Sequence, residues 1–97
     1  MAEADVTVYV TEYCPFCHRA KALLKQKAVR FAEIDVEERP DLRSWLVSAS
    51  GQRTVPQIFI NNRPIGGFSD MSALDQQGEP DRFLAEARPA GLPSLPR

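Results

Sequence analysis

Val6-Thr7-Val8-Tyr9-Val10-Thr11-Glu12-Tyr13-Cys14-Pro15-Phe16-Cys17 joins two secondary structures and a reactive pair within one short stretch. Val6, Val8 and Val10 alternate with Thr7, Tyr9 and Thr11, a period-2 run of strand formers. Pro15 then suits the first turn of a helix, where its missing N–H is no loss. Beyond it Cys17, Ala20, Leu24 and Ala28 recur at helical spacing with Leu23 alongside. Arg19, Lys21, Lys25 and Lys27 largely take the other positions, which makes the segment an amphipathic helix. A strand therefore feeds straight into a helix, with Cys14 and Cys17 at the joint.

Working outward, Arg30 to Val36 reads as a second strand through Phe31, Ala32, Ile34 and Val36, which completes a strand–helix–strand unit with an expected right-handed parallel crossover. Pro40 can open a second helix with Leu42, Trp45, Leu46 and Ala49 as its buried stripe, and Gly51 sits where a left-handed residue stops such a helix. Ile58-Phe59-Ile60 is a short apolar strand. Asn61-Asn62 tolerate positive φ and predict a tight hairpin into Arg63-Pro64-Ile65, where Pro64 places the last strand at a sheet edge. After Gly66-Gly67, Ser69 or Asp70 is expected to cap a third helix carrying Met71 and Leu74, closed by Gly78. Pro80 would begin a fourth, with Phe83, Leu84 and Ala87 on one face. The expected domain covers residues 1–88, and the proline-dense stretch 89–97 is expected to be a frayed, disordered tail. The fold class is α/β: a small mixed sheet flanked by helices, in the order β-α-β-α-β-β-α-α.

Ninety-seven residues suffice for one domain with a modest core. The formal net charge of -1 gives no reason to expect nucleic acid, and no long basic run suggests an anionic membrane. Met1-Ala2-Glu3-Ala4-Asp5 is acidic and does not resemble a signal peptide, and no apolar run is long enough to span a bilayer. The expected location is the cytoplasm, a reducing compartment in which a tight cysteine pair tends to be catalytic rather than structural.

Cys14 and Cys17 are the only two cysteines. If Cys14 is the helix N-cap, its sulfur faces the unpaired amides of Phe16 and Cys17 at the positive end of the helix, which favours thiolate over thiol. Intrinsic nucleophilicity falls as a thiolate becomes less basic, so attack gains little; the larger benefit comes when that sulfur departs from a mixed disulfide. Cys17, one helical turn on and on the inward stripe, is the expected resolving thiol. The alternatives are half of a zinc site, which lacks a second pair, and two unrelated core cysteines. His18, the only histidine, reads as a solvated first-turn residue.

Thr54-Val55-Pro56 is the second distinctive stretch. Taken alone Pro56 also reads as an ordinary proline at the start of a strand, but beside a C-P-x-C after a first strand a cis Val55–Pro56 bond is expected, which would leave the Val55 amide and carbonyl as a short strand edge for an incoming peptide. Together with Cys14-Pro15-Phe16-Cys17, the blocks Thr54-Val55-Pro56-Gln57-Ile58-Phe59-Ile60 and Ile65-Gly66-Gly67-Phe68-Ser69-Asp70 resemble those of a dithiol glutaredoxin over roughly residues 5 to 88. The resemblance implies a thioredoxin-like fold with a four-stranded mixed sheet. It also implies glutathione-dependent reduction of protein disulfides and glutathione mixed disulfides, with glutathione as reductant and disulfide-containing or glutathionylated proteins as clients. By position, Cys14 is implied as the nucleophile and Cys17 as the resolver. Val55, with Thr54 and Pro56, is implied to pair with the cysteine of glutathione, and Gly67, Ser69 and Asp70 to hold its γ-glutamyl end. Gln52 would take the glycine carboxylate with help from Arg53, and Tyr13 would either wall the site or serve a simple packing role.

Thr11 departs from the pattern. Many glutaredoxins carry a lysine there, so a hydroxyl implies weaker glutathione binding and a less stabilised Cys14 thiolate. No metal is expected. An iron–sulfur carrier shared between two subunits is disfavoured by Pro15, since relatives in that role usually have a C-G-F-S motif or lack the proline. A glutaredoxin-like thioredoxin, reduced by a flavin reductase, is disfavoured by Gln52, Ser69 and Asp70. A monomer is expected.

Overall fold

In a computed structural model, which describes residues 4–78 and 89–97, the strand that precedes the cysteines is the inner partner of two others. β1 (Val6–Val10) leads into α1 (Pro15–Gln26), β2 (Ala32–Asp35), α2 (Pro40–Ser50), β3 (Gln57–Ile60), β4 (Arg63–Gly66) and α3 (Phe68–Gln76). The four strands form one sheet in the order β2-β1-β3-β4, with β1 parallel to β2 and the other two pairings antiparallel. This is the thioredoxin-like arrangement implied by the resemblance. The expected fourth helix lies outside the described residues.

The alternation in β1 divides the core between two faces. Val6, Val8 and Val10 pack with Ile58 and Ile60 of β3, with Ala20 and Leu24 of α1 and with Met71 of α3. Tyr9 points to the other face, among Ile34, Leu42, Leu46 and Phe59. All five residues of β1 are therefore buried, because helices cover the sheet on both sides. On the second face Tyr9 meets Phe59 edge-on with ring centres 5.7 Å apart, and Trp45 stacks on Phe59 at the same separation. Such pairs add about 0.5–1.5 kcal/mol beyond the area they bury.

The turns follow their chemistry. Asn61 and Asn62 both have positive φ, 50° and 64°, as a tight hairpin demands. Gly51 caps α2 in the left-handed region at φ 74°. Pro64 lies on β4, an edge strand, where the missing donor is harmless.

Two boundaries differ from expectation. Helix α1 stops at Gln26, and Ala28 turns away at φ 58°, where its amide bonds back to the Lys25 carbonyl. Ala28 is thus part of the exit turn, and Val29 rather than Ala28 packs against the core. Helix α3 starts one residue before Ser69, with Gly67 as N-cap, so neither Ser69 nor Asp70 caps it. Asp70 sits three residues into the helix instead, and its carboxylate reaches back to accept the Gly67 N–H at 3.0 Å.

The C-terminal stretch has neither helix nor strand, as its prolines require, but it lies against the domain. The Tyr9 hydroxyl donates to the Pro96 carbonyl at 2.6 Å, Asn62 Nδ2 donates to the Pro93 carbonyl at 2.7 Å, and Leu95 packs on the Tyr9 face. These contacts differ from those of a frayed extension. Their origin is a buried phenol that needs an acceptor.

Candidate active site

Cys14 occupies the N-cap of α1 with extended backbone, φ -124° and ψ 105°. Its sulfur accepts the Cys17 N–H at 3.1 Å, the interaction that a free helix terminus offers a thiolate. The Cys14 thiol also lies 3.6 Å from the Val55 carbonyl, to which it donates. Both cysteines are free thiols. Cys14 is 8 % exposed and Cys17 not at all, so the first is the more open of the two but is itself largely covered.

Burial dominates the chemistry of Cys17. Burial first, and then a hydrogen bond to Cys14, push this thiol up from 9.0 to about 12 against the opposing pull of the Thr11 backbone and Lys21. Cys17 is therefore a protonated reserve at neutral pH rather than a standing nucleophile. The distinction between the two sulfurs comes from position: one at the helix end, the other a turn inside, against Ala20 and the sheet.

Beside Cys14 lies an open cleft of about 240 Å³. One wall is the loop before β3, contributed by Gln52, Thr54, Val55 and Pro56, and the Val55–Pro56 bond is cis, as expected. The other wall is the start of α3, contributed by Gly67, Phe68, Ser69 and Asp70. Phe16 closes the end near the cysteines; its ring stacks toward Phe68 with centres 6.4 Å apart, and the Arg19 guanidinium lies 5.5 Å from the Phe16 ring centre.

Two glycines keep this wall in place. A Cβ on Gly66, whose φ is 115°, would collide with the Asp70 carboxylate, and one on Gly67 would come within 3.3 Å of the Pro56 carbonyl. The close approach of the α3 start to the Pro56 loop thus depends on the absence of a side chain at Gly67, and the place of the Asp70 carboxylate on its absence at Gly66.

The cleft gathers Gln52, Thr54, Val55, Pro56, Gly67, Ser69 and Asp70, all singled out from the sequence, but its lining does not include Thr11, Tyr13 or Arg53. Tyr13 is 87 % exposed and stands clear of the cleft instead of walling it. Phe16 and Phe68 were not expected there. For Phe16 the signal is an exposed aromatic ring at a helix start, where the apolar stripe does not need it; Phe68 also packs on the core, so its pattern reads as an ordinary buried position.

Comparison with known proteins agrees with this geometry. The family model described as Glutaredoxin matches residues 6–65. Glutaredoxin 3 of Escherichia coli K12 is 47 % identical over 81 residues, which cover 84 % of this chain and 98 % of the relative. A glutaredoxin of Pseudomonas aeruginosa is 44 % identical over 80 residues, covering 82 % and 95 %. Among solved structures, the Brucella melitensis glutaredoxin superposes with a TM-score of 0.78 at 43 % identity, covering 87 % of this chain and 91 % of its own. A buckwheat glutaredoxin–glutathione complex gives the same TM-score at 30 % identity, covering 84 % and 76 %. The chain belongs to the glutaredoxin family, the glutathione-dependent thiol–disulfide oxidoreductases.

Proposed function

We propose that Cys14 is the sulfur that carries the glutathionyl group, with the tripeptide lying in the cleft between the Pro56 loop and the start of α3. The observation that carries this reading is the position of Cys14: its sulfur lies 3.6 Å from the carbonyl of Val55, a residue that lines the same cleft as Ser69 and Asp70. The Val55 backbone suits the cysteine unit of the tripeptide as a strand partner. The α3 N-terminus suits the γ-glutamyl carboxylate, and the Asp70 carboxylate suits its ammonium.

The reaction proceeds by exchange of one S–S bond at a time. The Cys14 thiolate attacks the glutathionyl sulfur of a client mixed disulfide; the bond to the client breaks and the client leaves as a thiolate. A second glutathione thiolate then attacks the glutathionyl sulfur on Cys14. Glutathione disulfide forms, and Cys14 departs as a thiolate that keeps the electron pair of the broken bond and accepts the Cys17 N–H. The other exit is attack by Cys17 on Cys14 Sγ, which expels glutathione and closes the Cys14–Cys17 disulfide. That exit first requires removal of the proton that burial holds on Cys17, a thiol pushed to about 12. External glutathione is the favoured exit for mixed disulfides, and Cys17 serves client disulfides that hold on to Cys14. Glutathionylated and disulfide-containing proteins are the clients, and a monomer in the cytoplasm is the working form.

The test is a glutathione-coupled assay on a mixed disulfide with the wild type, Cys14→Ser and Cys17→Ser. The first variant is expected to lose turnover and the second to keep it. Loss of turnover in Cys17→Ser would show that ring closure, not glutathione, releases the intermediate.

A further inference from the structure

Gln57 takes no part in the chemistry above, yet it is completely buried on an inner strand directly after Pro56. Its register partner is Tyr9, which places its side chain on the α2 side of the sheet, away from the cysteines. The amide has one fixed reference. Nε2 lies 2.9 Å from the Thr54 carbonyl, and a carbonyl can only accept, so this end of the amide must be the nitrogen. The same nitrogen gives its second hydrogen to Gln52 Oε1 at 3.0 Å. The Gln57 Oε1 atom has no hydrogen-bond partner among the described residues. A leucine would fill similar space without leaving a buried acceptor unsatisfied, so it is the donor end that the position uses.

The consequence falls on Gln52, which lines the cleft. A free glutamine amide can present oxygen or nitrogen to a ligand. Here its oxygen is committed inward to Gln57, and its NH2 group is what remains for the cleft. We infer that Gln57 is a positioning residue that locks Gln52 as a hydrogen-bond donor, and so sets the preference of the cleft for a terminal carboxylate, the glycine carboxylate of glutathione. The inference rests on the reading that glutathione occupies this cleft. The Thr54 carbonyl orients Gln57, Gln57 holds the Gln52 oxygen inward, and Gln52 then turns its NH2 group to the cleft.

The experiment compares two small mixed disulfides of 2-mercaptoethanol, one with glutathione and one with glutathione whose glycine carboxylate is amidated. Gln57→Met removes the donor and lets the Gln52 amide rotate. It is expected to raise KM for the glutathione disulfide about tenfold, the scale of one hydrogen bond to a charged group, with kcat unchanged and KM for the amidated substrate unmoved. Gln57→Glu, when ionised, accepts from Gln52 and turns its oxygen toward the cleft, so its selective loss is expected to exceed that of the methionine variant. Gln52→Met is expected to show the same selective loss, and adding Gln57→Met to it should change nothing further. Equal losses on both substrates, or additive losses in the double variant, would overturn the inference. Should the buried variants unfold by circular dichroism, Gln52→Met alone must still lose the preference, and its failure to do so overturns the inference as well. A wild type that handles both substrates with equal KM defeats the inference and leaves the glutaredoxin reading intact; a wild type that turns over neither defeats that reading itself.

Discussion

At the scale of single residues, the two cysteines differ because a helix end treats them differently. Cys14 receives an N–H at 3.1 Å, whereas Cys17 is enclosed and keeps its proton to about 12. Their unequal environments follow from the C-P-x-C spacing after a strand, which is why that difference was legible in the sequence. Thr11 was legible as a departure, but its place outside the cleft lining was not, since that depends on where the strand end points. Introducing a cation there tests how much charge the site lacks. Thr11→Lys is expected to lower KM for glutathione mixed disulfides several-fold in the glutathione-coupled assay; an unchanged KM would show that the position does not reach the bound tripeptide. Phe16 and Gln57 escaped the sequence reading because an exposed aromatic ring at a helix start and a polar amide in an apolar strand violate the local pattern, and only their tertiary neighbours explain them. Phe68 escaped because its packing on the core hides its second role in the cleft wall.

At the scale of elements, the start of α3 shows how a local signal can be read with the right parts in the wrong order. Gly67, Ser69 and Asp70 all belong to the helix start, but the cap is Gly67, because the Asp70 side chain is long enough to satisfy the Gly67 N–H from within the first turn. Gly66 makes that possible by leaving room for the carboxylate. Gly66→Ala must either move Asp70 or leave a side chain at φ 115°, and is expected to cost about 1–3 kcal/mol. Chemical denaturation should show that loss, together with a raised KM for glutathione mixed disulfides, because the displaced carboxylate belongs to the cleft. An alanine variant of wild-type stability and affinity would contradict this account of the wall. The hairpin, the Gly51 cap and the strand–helix joint needed no such correction, since each is dictated by residues adjacent in the chain.

At the scale of the whole molecule, the sheet separates a reactive face from a stabilising one. Cys14 and Cys17 belong to the core cluster beneath α1 and α3, while Tyr9, Phe59 and the C-terminal stretch occupy the α2 face. Removal of residues 95–97 should therefore lower stability, by about 1 kcal/mol for the lost Tyr9–Pro96 hydrogen bond, and leave turnover unchanged. Proline density correctly excluded helix and strand from this segment but could not reveal its docking, because the partner is a phenol at the other end of the chain. The same phenol gives stability a pH dependence. Burial pushes Tyr9 from 10.0 up to about 12, against a smaller opposing pull from Arg97, and Cys17 rises from 9.0 to about 12. The unfolded chain releases these protons first, so stability is complete below about pH 9 and falls as pH climbs toward 12. Urea midpoints of reduced protein on either side of that window should show the fall, and Tyr9→Phe should show a smaller one. The central claim remains that Cys14 alone carries the glutathionyl group. Its most direct test is the intact mass of Cys17→Ser and of Cys14→Ser after mixing with glutathione disulfide: one glutathionyl adduct on Cys17→Ser, removed by added glutathione, and none on Cys14→Ser are predicted, whereas an unmodified Cys17→Ser or an adduct on Cys14→Ser would contradict it.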